Sequence, residues 1–230
     1  MPERLLRASV TMAPDCRSNV AADGGSAEAR VGPPRRIRRD RYPDYATLAR
    51  CETEGVDYRI IDRPVRRSPI AIVAPHGGGI ERGTSGVATL FAGEVFSLYL
   101  FEGLKRDNNF NSLHITSRRF DEPRCLALLA RHETVITVHG CVGAGEFVCL
   151  GGLHEALKQA IAASLRDGGF DARTEGHNFP ALDPDNLCNR GRGRRGVQIE
   201  LSAGFRRRMQ YRELAGRLQA TLLAMLPPQG

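Results

Sequence analysis

Two short apolar runs, each ending at a histidine, constrain the fold of this chain most. IAIVAP at 70–75 leads into His76, and TVITV at 134–138 leads into His139. Continuous apolar runs of this length are typical of strands buried on both faces of a sheet. Because ligands of open α/β sheets bind beyond the carboxyl ends of strands, the two histidines are candidates for one site.

Strand and helix patterns alternate along the rest of the chain. Apolar patterns predict further strands at 57–65, 113–117, 146–150, 171–175 and 196–201, the first of them at a sheet edge. Helical spacing and capping residues, among them Asp121 as an N-cap, predict helices at 43–51, 84–100, 121–131, 152–166 and 207–226. The alternation predicts the α/β class, with a sheet covered by helices on both faces.

The positive charge is concentrated in two segments of the 230 residues. Residues 1–42 hold nine arginines and five acidic residues, and residues 186–217 hold nine arginines and two acidic residues. The first segment lacks periodicity, so we expect a disordered basic tail at 1–41 and one folded domain at 42–230. The positive electrostatic field of these two segments is expected to attract an anionic partner, either nucleic acid or a polyanionic peptide. Aromatic residues make up only 6% of the chain, which argues against base stacking.

Cysteine usage and hydropathy indicate the compartment. The six cysteines form no CxxC pair or disulfide framework, which favours a reducing environment. No apolar run is long enough for a membrane span, and the amino terminus lacks the apolar core of a signal peptide. We therefore expect a cytoplasmic protein with no membrane partner.

The first candidate site is a metal centre. His76 and Glu81 flank a glycine-rich loop, and His139 follows another strand, so the three could form a zinc tripod with one position left for water. The alternative is a histidine in a plain turn and a carboxylate at a helix amino terminus. His114 either lines the same cleft or is a hydrogen-bonded strand residue. Cys141 is not expected to act as a nucleophile.

Two further features suit hydrolysis of an anionic substrate. Glu200 stands in the apolar strand GVQIEL, where a lone carboxylate is costly unless paired or functional, so it is a candidate general base. The alternative is a solvent-facing strand residue. The preceding loop at 186–196 supplies Arg190, Arg192, Arg194 and Arg195, which can bind carboxylates bidentately or form a solvated basic loop.

Several motifs in one order resemble the poly-gamma-glutamate hydrolase family of phages and bacteria. They are PHGGGIERGTSGVA at 75–88, FEGL with LHITSRRFDEP at 101–123, TVHG at 137–140 and NLCNRGRGRRGVQIELSAGFRR at 186–207. The resemblance spans roughly residues 55–226. It implies a compact relative of the zinc carboxypeptidases with an open mixed sheet between helices.

The resemblance also assigns roles. It implies Zn²⁺ held by His76, Glu81 and His139, with Glu200 as the base. It implies that Asn189 and Arg190 grip the substrate, and Arg190 could also polarise the scissile carbonyl.

We therefore predict a zinc hydrolase of gamma-glutamyl amides, most simply of poly-gamma-glutamate. Such an activity suits a phage that strips a host capsule, with release on lysis, or a bacterium that handles its own polymer. Hydrolysis of another small amide or acyl-amino acid is a related alternative. A basic nucleic-acid-binding protein without hydrolase activity is the alternative from a different class, and the lack of a recognisable binding motif counts against it.

Overall fold

The computed structural model describes residues 40–208 and 211–226. Its strands are β1 Tyr58–Arg63, β2 Ile70–Gly78, β3 Ser97–Gly103, β4 Thr134–Cys141, β5 Phe147–Gly151, β6 Asp171–Arg173 and β7 Val197–Ser202. Its helices are α1 Tyr45–Cys51, α2 Thr84–Ala92, α3 Asn109–Leu113, α4 Pro123–Leu129, α5 Glu155–Asp167, α6 Ala203–Arg208 and α7 Tyr211–Met225. Short 3-10 turns lie at Ser117–Arg119 and Leu187–Asn189.

All seven strands form one mixed sheet in the order β1-β3-β2-β4-β7-β5-β6. The central strands β3, β2, β4 and β7 run parallel, whereas β1 is antiparallel to β3 and β5 is antiparallel to β7. The predicted open mixed sheet and the edge position of β1 are therefore confirmed. Since β2, β4 and β7 are parallel neighbours, their carboxyl ends meet at one end of the sheet.

Apolar residues pack on both faces of the sheet. On one face, Phe91, Ile161 and Leu218 from α2, α5 and α7 are buried against the strands. On the other face, Leu48 of α1 and Leu128 of α4 are buried in a second cluster. The predicted helices on both faces are confirmed, and the sheet is the rigid layer that positions the site.

The helix predicted at 84–100 is wrong in its second half. Helix α2 ends at Ala92, followed by Gly93 with a φ of 49°, and the chain then forms the fully buried strand β3. The strand predicted at 113–117 is also wrong, because α3 ends at Leu113 and a 3-10 turn begins at Ser117.

Two predictions near the chain ends and caps need separate comment. Glu122, rather than Asp121, caps α4 by accepting a hydrogen bond from the Cys125 amide at 2.8 Å. Residues 1–39 of the predicted tail lie outside the described residues, so the domain boundary stays a prediction. Among the helices that the structure describes, none is both long and apolar enough to cross a membrane.

Candidate metal centre

His76, Glu81 and His139 converge at the carboxyl ends of β2 and β4. The Nδ1 atoms of the two histidines lie 3.1 Å apart. One oxygen of Glu81 lies 3.3 Å from His76 Nδ1, and its other oxygen lies 3.8 Å from His139 Nδ1. All three side chains are buried. The structure thus brings together the three side chains that the sequence singled out as metal ligands.

The loop between His76 and Glu81 explains how one short segment delivers two of them. Strand β2 carries an irregularity between Ala74 and Gly77, a feature that re-aims side chains next to functional sites. Gly78 then adopts a φ of 59°, which disfavours any residue with a β-carbon. The Glu81 amide closes the turn by donating to the His76 carbonyl at 2.9 Å.

The donor set fits zinc. Ligands bound at 2.0–2.2 Å in a tetrahedral zinc site stand roughly 3.3–3.5 Å apart. The two imidazole nitrogens are 3.1 Å apart, Glu81 Oε1 is 3.3 Å from His76, and Glu81 Oε2 is 3.8 Å from His139, so each pair lies near that spacing, with one carboxylate oxygen turned to each imidazole. Two imidazoles and one carboxylate are also the ligand types of catalytic zinc sites with an open position.

Outer contacts fix the orientation of both imidazoles. His76 Nε2 lies 2.9 Å from the Ile115 carbonyl, which can only accept, so Nε2 carries a proton and Nδ1 is the nitrogen that faces Glu81 and His139 and would bind a metal. His139 Nε2 lies 3.3 Å from the Ser117 hydroxyl, and its Nδ1 faces the same point as that of His76. Sequence reasoning missed Ser117, although it lies in the LHITSRRFDEP motif.

His114 lies next to the three candidate ligands and borders the centre. Its ring stacks on His76 with centroids 4.1 Å apart, and ligand-capable atoms of His76, Glu81 and His114 all lie within 4.8 Å of one another. His114 Nδ1 is 2.7 Å from a carboxylate oxygen of Asp40, and the Thr116 amide donates to the other oxygen at 2.7 Å. Because the ionised Asp40 carboxylate accepts a hydrogen bond from Nδ1–H of His114, Nε2 of the neutral ring is left as an acceptor.

Burial and neighbouring charge set the protonation states. Burial disfavours ionisation of Glu81, but the charge of His76 and its hydrogen bond outweigh burial and lower the pKa of Glu81 to about 2. Burial, together with the charge of His76, lowers the pKa of His139 to about 3. An ionised carboxylate and a neutral imidazole are the states that bind a metal, and Glu81 and His139 are in these states. Burial opposes protonation of His76, but the charge of Glu81 and its hydrogen bond outweigh burial and raise the pKa of His76, so a metal would displace the proton that His76 Nδ1 shares with Glu81.

Glu200 lies beside the three candidate ligands. It is the register partner of His139 across the parallel β4 and β7 strands, and it is buried. Gln198 donates to Glu200 Oε1 at 3.0 Å, and Asn186 donates to Gln198 Oε1 at 3.0 Å. Burial and the nearby Glu81 charge raise the pKa of Glu200 well above its ordinary value. A carboxyl group in such surroundings can exchange a proton near neutral pH.

Arg206 links the backbone segments behind these side chains. Its guanidinium donates to the carbonyls of Arg82, Cys141 and Leu201 at 2.8, 3.2 and 3.1 Å. Arg82 directly follows Glu81, and Leu201 directly follows Glu200. Arg206 therefore connects the backbone next to Glu81 and Glu200 with the end of β4, although it belongs to α6 and was not singled out from the sequence.

A cleft of about 460 Å³ opens onto the centre. Apolar side chains in its wall include Phe110, Val142 and Phe179, and the charged ones include Arg118 and Asp183. Arg118 Nη1 lies 3.7 Å from Asp183, and its side chain is 65% exposed. Arg118 was not predicted, although it lies in a motif that carried the resemblance.

Cys141 also lines the cleft. Burial and the charge of Glu200 raise the pKa of its thiol to about 12. A thiol that stays protonated is a poor nucleophile.

The structure does not bring Asn189, Arg190, Arg194 and Arg195 into this cleft. Asn189 is fully buried, and its amide bonds to backbone groups, among them the carbonyls of Ala181 and Asp183. Arg190 donates to the Phe120 carbonyl at 2.8 Å.

Arg194 and Arg195 precede β7, so they lie at its amino end, whereas Glu200 lies towards its carboxyl end.

Comparison with known proteins places this centre in a family context. Residues 42–221 match the model of the poly-gamma-glutamate hydrolase family. The UPF0714 protein YndL of Bacillus subtilis (strain 168) is 38% identical over 170 residues, which cover 73% of this chain and 66% of YndL. The SPbeta prophage-derived UPF0714 protein YoqZ of the same strain is 36% identical over 172 residues, covering 74% of this chain and 61% of YoqZ. The chain thus spans slightly less than two thirds of these relatives.

Solved structures agree with the sequence matches. A bacteriophage poly-gamma-glutamate hydrolase superposes with a TM-score of 0.77 at 31% identity, covering 81% of this chain and 98% of that one. YndL in a zinc-free apo form gives a TM-score of 0.76 at 32% identity, covering 82% and 100%. The family match spans most of the chain, and both structures share its fold. The chain belongs to the poly-gamma-glutamate hydrolase family.

Proposed function

We propose that this hydrolase uses zinc to cleave gamma-glutamyl amide bonds, with poly-gamma-glutamate as the polymeric substrate. The observation that carries the proposal is the convergence of His76, Glu81 and His139 beside the buried carboxyl group of Glu200. Family membership supports the hydrolase class, and the zinc-free description of the YndL structure supports zinc as the metal.

Zinc bound here would polarise the scissile carbonyl and lower the pKa of a water molecule. The carboxylate of Glu200 would accept a proton from the attacking water and deliver it to the leaving nitrogen, a role that its raised pKa suits. Gln198 holds one oxygen of Glu200 in place, and its own amide is held by Asn186. These two hydrogen bonds orient the carboxyl group of Glu200 without placing a second charge beside it.

The cleft wall supplies contacts for the substrate. Among the described residues that line the cleft, one is an arginine, Arg118. Its guanidinium can bind a glutamyl carboxylate in a bidentate manner. His114 presents Nε2 beside the centre and can accept a hydrogen bond from the substrate amide. The apolar ring of Phe110 and the exposed Val142 suit the methylene groups of a gamma-linked chain.

The test combines metal analysis with product analysis. We expect the purified protein, loaded with zinc, to hold one equivalent and to release gamma-linked oligomers from poly-gamma-glutamate, as identified by mass spectrometry. Removing zinc with a chelator should abolish release, and adding zinc back should restore it.

Alpha-linked polyglutamate is the matched control substrate, because it carries the same charge on a different backbone. Equal cleavage of both polymers would contradict the gamma-glutamyl assignment. Cleavage that persists without metal would contradict the zinc mechanism.

A further inference from the structure

A second cavity lies at the opposite end of the sheet from the candidate metal centre. It has a volume of about 480 Å³ and lies at the amino ends of β2 and β4. Four arginines line it, contributed by three separate loops: Arg66, Arg67, Arg131 and Arg192. Arg192 belongs to the arginine-rich loop that the catalytic cleft does not use.

These arginines are weakly neutralised. Within residues 40–208 and 211–226, Arg66, Arg67 and Arg131 form no ion pair with an acidic side chain. Arg192 lies 3.5 Å from Glu133, and both of these side chains are largely exposed. A second carboxylate, that of Asp62, lies outside the cavity wall but interacts electrostatically with Arg131. Four guanidinium groups therefore face two carboxylates, which leaves an excess of positive charge at the cavity.

The backbone around the cavity is firmly held. The Arg192 amide donates to the His132 carbonyl at 2.8 Å, and the Gly193 amide donates to the Glu133 carbonyl at 3.0 Å. In the β1–β2 loop, the Val65 amide donates to the Ser97 hydroxyl at 2.8 Å. Arg67 adopts a φ of 67°, which is unfavourable for a residue with a side chain. Such a backbone conformation persists where the surrounding structure imposes it.

We propose that this cavity is an exosite, a second binding site that holds carboxylates of a distant stretch of the polymer whose cleavage occurs at the metal centre. The inference rests on the proposed function and names a further contact with the same substrate. The charges of the two sites support it. The catalytic cleft carries the acidic residues Glu81, Asp183 and Glu200 against Arg118, whereas the remote cavity carries an excess of arginines.

Because the two sites lie far apart, the contribution of the second site to affinity should depend on the length of the substrate. Thr134 at the remote end and His139 at the centre are five residue steps apart along β4, which corresponds to roughly 17 Å of strand. A substrate of two or three residues occupies the catalytic cleft alone. A long polymer can contact both sites, and its second contact raises the overall affinity through effective concentration.

The experiment compares a long and a short substrate in two charge-matched variants. R66Q/R131Q removes two cavity arginines, and R50Q/R212Q removes two exposed arginines elsewhere. We expect R66Q/R131Q to raise the KM for long poly-gamma-glutamate roughly five- to tenfold, with the kinetics on tri-gamma-glutamate unchanged. R50Q/R212Q should leave both substrates unaffected, and R192Q alone should show a smaller effect in the same direction as R66Q/R131Q.

Direct binding separates this proposal from the proposed function. Anisotropy of fluorescein-labelled polymer reports affinity whether or not cleavage occurs. Polymer binding that depends on Arg66 and Arg131 supports the exosite even if the wild-type protein cleaves no gamma-glutamyl bond.

Three results overturn the exosite: unchanged polymer binding in R66Q/R131Q, an equal loss in R50Q/R212Q, or an equal loss for the short substrate. Duplex DNA that binds through these arginines and is not displaced by the polymer would assign the cavity to nucleic acid instead.

Discussion

The guanidinium of Arg206 occupies the space that a side chain at Gly140 would need. A β-carbon at Gly140 would lie 2.6 Å from Arg206 Cζ, well inside contact distance. Because Arg206 is held by three backbone carbonyls, it cannot move away without losing those bonds. We therefore expect G140A to lower the free energy of unfolding by about 1–3 kcal/mol and to reduce kcat. Thermal unfolding and steady-state kinetics measure the two effects.

The control for this substitution is G86A. Gly86 lies in α2, and a β-carbon there meets no atom within 4 Å. Since alanine favours the helix over glycine, G86A should raise the free energy of unfolding by about 0.5–1 kcal/mol and leave kcat unchanged. If G140A were as stable and as active as G86A, Arg206 would not be the constraint on position 140.

Two isosteric substitutions separate the roles of the buried glutamates. E200Q keeps size and hydrogen bonding but cannot accept the proton, so we expect kcat to fall about 10²–10⁴-fold with zinc still bound. E81Q removes a charged ligand and should lose zinc together with activity. Metal content and turnover are measured on the same preparations. Loss of zinc in E200Q, or full zinc content in E81Q, would reverse the two assignments.

Arg118 and Arg190 compete as the residue that binds substrate carboxylates. Arg118 lines the cleft, whereas Arg190 is bonded to the Phe120 carbonyl. We expect R118Q to raise KM about three- to tenfold with little change in kcat, and the difference should shrink at high salt. R190Q is the matched comparison. A raised KM in R190Q alone would return the substrate contact to the arginine that the sequence singled out.

Asp40 links the residues before the family match to His114. Burial opposes its ionisation, but hydrogen bonds from His114 and Thr116 outweigh burial and hold the pKa of Asp40 below its usual value of 3.8. A depressed pKa stabilises the fold above the unfolded-state pKa, and this contribution is lost as the pH falls towards the folded-state value. We expect D40N to be less stable than the wild type by a constant amount from about pH 5 to 8, and by a shrinking amount below about pH 4.

Steady-state kinetics of D40N test the contact between Asp40 and His114 in a second way. An asparagine amide can donate to His114 Nδ1, which would move the imidazole proton to Nε2, so D40N should also reduce kcat/KM. D107N replaces an exposed aspartate and serves as the control. A stability gap between D40N and wild type that is independent of pH down to pH 3 would show that the charge of Asp40 contributes nothing.

The parts of the fold that could be predicted are those with a local signal. The buried strands that lead to His76 and His139 appear as apolar runs, and these two candidate metal ligands follow them directly. Strand β3 was missed because Val95 and Leu98 continue the helical spacing of α2. A strand that is buried on both faces has no period of its own, so Gly93 was the one local sign that the helix ends.

The parts of the site that could not be predicted depend on tertiary structure. Asp40 lies outside any helix or strand, Ser117 lies in a 3-10 turn and Arg206 in a short helix, and none of these segments has a periodic pattern. The loop at 190–195 is adjacent to β7 in sequence. Because the loop precedes that strand, its arginines lie at the end away from Glu200, and strand direction rather than proximity in sequence decides their place.

The sheet order has a consequence for synthesis of the protein. Strand β7 is the last of the described strands to leave the ribosome, yet it lies between β4 and β5 in the middle of the sheet. Until residue 202 has emerged, β5 and β6 have no strand to join them to β4, and both halves expose unpaired edges. A nascent or prematurely terminated chain is therefore an aggregation hazard. The full-length chain completes its sheet and gains Glu200, the proposed general base, in the same late step.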